Sequence, residues 1–86
     1  MSIQVFIKNS NLKTSCLEIS NSITFSDLKN VIAKKLHTKP EMFQLMVDGR
    51  YIELELSKKT ANMNIPINYL NIDNMKTLWI KEKYIK

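Results

Sequence analysis

Glycine is nearly missing from this chain, with Gly49 the only one among 86 residues. Loops that cradle phosphates, of the dinucleotide or P-loop kind, need several glycines within a short span, so both are excluded. Cysteine is equally scarce. Cys16 stands alone, so no internal disulfide is expected, which suits a reducing compartment such as the cytoplasm or nucleus. As an outward strand residue with no activating neighbour in the sequence, Cys16 reads as inert. His37 is the sole histidine, and no Cys or carboxylate stands near it at ligand spacing. It therefore reads as a helix-end residue, not as a metal ligand or a general base. Serines and aspartates are scattered without a glycine elbow to position a nucleophile. No enzymatic activity, cofactor or metal is expected. No apolar run approaches membrane-spanning length, and the N-terminus alternates instead of setting a charged head before an apolar core. Neither an anchor nor a signal peptide is expected.

What the chain does contain is one stretch with helical periodicity, from Thr24 to Leu36. Phe25, Leu28, Ile32 and Leu36 recur at spacings of three and four, with Val31 beside them, and so form one apolar stripe. Thr24 can cap the first turn, with Asp27 returning the bond and facing the positive end of the dipole. Lys34 and Lys35 fall in the last turn, where exposed carbonyls favour cations, and Pro40 prevents continuation. On either side the apolar period is two. Ile3, Val5 and Ile7 predict a strand, followed by the turn formers Asn9, Ser10 and Asn11. Leu17 and Ile19 then face inward from a second strand, with Cys16 and Glu18 outward. Phe43, Leu45 and Val47 predict a third strand, and Asp48-Gly49 a tight turn. Tyr51 to Leu56 alternates again, with Ile52, Leu54 and Leu56 on one side, and predicts a further strand. Residues 57–66 read as an extended surface loop, Ile67 to Ile72 as a turn of helix, and Thr77 to Lys81 as the last strand. Parity there sends Leu78 and Ile80 inward and Trp79 and Lys81 outward. A hydrophobic fraction of 44% suits one small domain over residues 1–86, an α+β chain with one helix laid across one sheet.

The order of elements and the residues within them resemble ubiquitin. Val5-Phe6-Ile7-Lys8 is similar to that family's first strand, and Lys13-Thr14 with Leu17-Glu18-Ile19 to its second. The likeness runs on without a gap through the helix, Pro40, Leu45, Gly49 and Glu53, and resumes at Asn71-Ile72 and Thr77-Leu78. The resemblance implies the β-grasp fold, a mixed sheet around one helix, with the first and last strands parallel at its centre. The chain departs from the family between Glu53 and Ile67, where it is longer by roughly nine residues, a change that surface loops tolerate. It also carries Lys83-Tyr84-Ile85-Lys86 where the conjugated modifiers have a Gly-Gly tail, so a non-conjugated role is expected.

The resemblance also implies a binding surface on the outer face of the sheet. Of the family's three apolar anchors there, Met46 stands at the Ile position, Ser10 at the Leu position and Lys81 at the Val position, while Trp79 replaces a histidine beside them. An exposed Trp next to a Met has the composition of an interface hot spot. The alternative is that Trp79 merely covers the sheet under the long loop or the tail. Phe6 points to the same face, and Lys8, Lys81 and Lys83 form a basic rim. The partner-binding residues expected on these grounds are Met46, Trp79, Lys81, Lys8, Ser10, Gly49, Arg50 and Phe6. The leading expectation is a monomeric protein-interaction domain that docks a proteasomal receptor, a ubiquitin-pathway enzyme or another assembly. Thirteen basic against eight acidic residues give a net charge of +5, which permits acidic partners without choosing among them. A second reading is therefore a nucleic-acid-binding β-grasp module, with Trp79 and Phe6 stacking on bases and the lysines tracking phosphates. A third is a free-standing, non-conjugated ubiquitin-like protein that binds splicing factors, which Asp27-Leu28-Lys29 and Ile32-Ala33 also resemble.

Overall fold

A computed structural model describes residues 2–9, 13–58 and 64–82. In it the stripe of residues Thr24 to Leu36 becomes α1, Phe25–Lys35, and Thr24 Oγ1 accepts the Asp27 N–H at 3.2 Å as its cap. The helix stops before Pro40 can act. His37 turns left-handed at φ 57°, its N–H reaches the Lys34 carbonyl, and the Thr38 N–H reaches that of Ala33 at 2.9 Å. This paired closure at the helix end satisfies carbonyls that would otherwise lack partners, and it sets the lone histidine at the helix end. Pro40 instead opens a short 3-10 turn, Pro40–Met42.

Five strands form one sheet in the order β2-β1-β5-β3-β4. β1 (Ser2–Lys8) and β2 (Thr14–Ser20) are an antiparallel hairpin, and β5 (Lys76–Glu82) lies parallel to β1. β3 (Phe43–Val47) is antiparallel to β5 and to β4 (Arg50–Tyr51). A parallel pair cannot be joined by a tight turn, so the chain between β1 and β5 must cross over, and α1 lies within that connection. The helix contributes Phe25, Leu28, Ile32 and Ala33 to a core completed from the sheet by Val5, Ile7, Leu45, Val47, Leu78 and Ile80. This is the α+β, β-grasp arrangement.

The turn between β3 and β4 takes two residues, Asp48 at φ 53° and Gly49 at φ 78°. Positive φ at both central positions matches the right-handed twist of the strands it joins. The strand expected from Tyr51 to Leu56 is not formed. β4 ends at Tyr51, and Ile52–Lys58 is a second helix, α2. Ile52 and Leu56, four residues apart, share a helix face and are buried, while Leu54 turns out to 54% exposure. Glu53 supplies what a longer strand would have supplied, since its Oε1 accepts the Leu45 N–H of β3 at 3.0 Å. The expected loop over 57–66 is correspondingly shorter, because its first two residues close α2. Residues 59–63 lie outside the described residues. Beyond them, Phe25 N–H bonds the Ile65 carbonyl at 2.9 Å and Ile67 N–H bonds that of Ile23 at 3.0 Å, so the chain is tied to the start of α1. The turn expected over Ile67 to Ile72 is a 3-10 turn, Ile67–Leu70.

Candidate docking surface

β5 alternates about the sheet, with Leu78 and Ile80 buried at 0% and 5% and Trp79 on the opposite face at 39% exposure. Register then selects its neighbours. Parallel pairing sets Lys8 beside Trp79, antiparallel pairing sets Met46 on its other side, and Met46 in turn faces Tyr51 across the two-residue turn. Cross-strand partners share a face, so Lys8, Trp79, Met46 and Tyr51 form one row over four strands. The Lys8 ammonium lies 5.0 Å from the centroid of the Trp79 ring.

The flanking rows are more polar. Phe6 is half-buried between Cys16 and Thr77 in the register of the sheet, and exposed Lys81 stands opposite Gln44. Lys81 is two residues from Trp79 on the same face, roughly 7 Å along the strand. Thus Met46, Trp79, Lys81, Lys8 and Phe6 are brought to one surface. Arg50 is not in that row. It pairs in register with the buried Val47, and its guanidinium meets Glu55 of α2 at 3.2 Å. Gly49 is exposed in the turn, where its role is conformational. Ser10 and Lys83 lie outside the described residues.

Tyr51 was not among the residues expected here, although its signal was present. In a hairpin with a two-residue turn at Asp48-Gly49, counting outward pairs 47 with 50 and 46 with 51. A second cluster, behind the sheet, also escaped the sequence reading. Lys29 is buried at 8% exposure, donates to the Phe43 carbonyl at 2.8 Å, pairs with the Glu53 carboxylate and lies 4.8 Å from the Phe43 ring centroid. With every member partnered, the cluster serves to join α1, β3 and α2. Among the described residues, no group of three or more His, Cys, Asp and Glu side chains is placed to hold a metal ion. No described helix is long and apolar enough to cross a membrane.

A hairpin, a crossing helix and a parallel central pair with this outer row are set beside known proteins most directly by family comparison. The model of the ubiquitin family matches residues 5–64, more than half of the chain. This chain belongs to the ubiquitin family. No curated protein sequence gives a significant match. Among solved structures, the crystal structure of the UBL domain of Plasmodium falciparum Dsk2 superposes with a TM-score of 0.76. That match covers 96% of this chain and 100% of the other at 18% identity, so it speaks to the shared fold alone. Solved chains that match number 414, a breadth at which a ubiquitin-like fold does not choose a partner by itself.

Proposed function

We propose that this ubiquitin-like chain is a docking module that binds a protein partner through the outer face of its sheet and is not itself conjugated. The observation that carries the reading is the row Lys8, Trp79, Met46, Tyr51, with the indole 39% exposed at its centre. A partly exposed Trp with a thioether beside it and a phenol beyond the thioether offers large apolar area at low entropic cost, and such residues dominate interface energetics. Membership of the ubiquitin family supports a receptor of the proteasome or of the ubiquitin pathway as the partner class. Gly49 is the only glycine among these 86 residues, so they hold no Gly-Gly pair that an activating enzyme could charge, which supports action in place over transfer to a substrate.

Purified proteasomes are the first partner to test, by titration against the labelled chain. Wild type should bind, and Trp79→Ala should weaken binding by about 2 kcal/mol or more, roughly thirtyfold. Lys81→Ala should mainly slow association and flatten the salt dependence. Binding that is indifferent to Trp79→Ala would remove this face from the proposal. Incubation with ATP and a ubiquitin-family activating enzyme should give no adduct that reductant cleaves.

A further inference from the structure

Trp79 does not present a bare ring. Lys8 reaches it from the neighbouring strand, and its stem lies along the sheet closely enough to leave the residue half-buried at the end of β1. The ion pairs of the described residues engage Lys29, Arg50 and Lys76, and none of them engages Lys8. With no carboxylate paired to it among the described residues, the Lys8 ammonium rests on the negative face of the indole, which attracts a cation. The opposite flank of Trp79 is taken by Met46, held there by the β3–β5 register.

We infer that Lys8 is a positioning residue for the docking face: its ammonium holds the Trp79 indole in one pose, so that a partner meets an ordered aromatic. Affinity then gains because less side-chain freedom is lost on association. The same contact occupies one face of the ring. The consequence for binding rests on the docking reading above, whereas the pose of the indole is a property of the unbound chain.

One tryptophan in the chain makes the test direct, since all indole fluorescence comes from Trp79. In the unbound protein, the ε-methylene protons of Lys8 should be shifted upfield by the ring and return to ordinary lysine values in Trp79→Leu. Lys8→Gln should raise acrylamide quenching and lower the fluorescence anisotropy, Lys8→Arg should restore both, and Lys81→Gln should change neither. Unaltered quenching and anisotropy in Lys8→Gln would overturn the inference whatever the partner proves to be. With purified proteasomes as the probe, Lys8→Gln should weaken binding about two- to fivefold, the range expected of an exposed cation–ring contact. The loss should vanish in a Trp79→Leu background. If it persists there, Lys8 touches the partner itself and the positioning role is refuted. If wild type fails to bind proteasomes, the proposed partner class falls, while the fluorescence arm still decides the role of Lys8.

Discussion

His37 holds a left-handed backbone at φ 57°, in the position after a helix where glycine is the usual residue. An L-residue is strained there, and glycine is not, though glycine gives up more freedom on folding. The balance predicts that His37→Gly raises stability by about 0.5–1 kcal/mol. A urea midpoint that falls instead would mean the imidazole makes a contact worth more than the strain. Two ion pairs made by glutamates of α2 differ in environment. Glu53 neutralises Lys29 where the two side chains are only 15% and 10% exposed, and it also holds the Leu45 N–H. Glu53→Ala leaves the buried Lys29 cation without a counter-charge, with only the Phe43 carbonyl to accept from it, and the Leu45 amide without its acceptor, so a loss of about 3–5 kcal/mol is expected. Arg50 and Glu55 pair at 41% and 35% exposure, and Arg50→Ala should cost no more than about 1 kcal/mol. Equal unfolding midpoints for the two variants would contradict this ranking.

At the scale of elements, α2 is the segment where a strand and a helix make opposite claims about the same residues. A strand would set Leu54 and Leu56 on one face, whereas the helix buries Leu56 at 3% and exposes Leu54 at 54%. Leu56→Ala should therefore cost on the order of 2–5 kcal/mol, and Leu54→Ala no more than about 0.5 kcal/mol. Similar losses from both would restore the strand. Across the main layer, Leu28 of α1 and Leu45 of β3 are each fully buried at 0% exposure. Truncating either to Ala should also cost about 2–5 kcal/mol, a large share of a total that for small domains is about 5–10 kcal/mol. Thermal melts of the two variants check this, and an unchanged curve would displace the helix from the sheet. The Thr24 cap is a smaller term, with Thr24→Ala expected to cost about 1 kcal/mol.

For the molecule as a whole, a net charge of +5 ensures some attraction to any polyanion, so the mere detection of nucleic-acid binding decides nothing. The two physical cases differ in salt dependence. Phosphate neutralisation releases counterions, and binding built on it collapses between low and physiological salt with a slope that counts the lysines engaged. Single-stranded RNA titrated at physiological salt should bind weakly, and Trp79→Ala should leave that weak binding unchanged. Tight binding that survives the salt and disappears with the indole would favour the nucleic-acid reading over protein docking. The Lys8 ammonium covers one face of the ring, so a stacking base must displace it or use the other face, and the salt-resistant dependence on Trp79 is what decides.

Sequence alone determined the features whose signals are local. Periodicity placed α1 within a residue at each end, parity put Trp79 outward between Leu78 and Ile80, and Asp48-Gly49 marked its turn because few residues accept positive φ. The β-grasp order was legible for the same reason, through a run of residues that resembles one family along most of the chain. Alternation over Tyr51 to Leu56 failed because Ile52 and Leu56 suit either period, and what decided between them was a distant contact, Glu53 with the edge of β3 and with Lys29. Lys29 lies four residues after Phe25 and three before Ile32, so its spacing put it on the inward stripe. Only the packed structure shows that Glu53 and the Phe43 carbonyl wait there to make burial of the charge tolerable. The docking row was likewise settled in three dimensions. Family likeness set Met46 beside Trp79 with Lys8 on the same face, and counting from Asp48-Gly49 reaches Tyr51. But the register that puts Lys8 and Met46 on either side of Trp79 joins strands distant in the chain, and no local pattern encodes it.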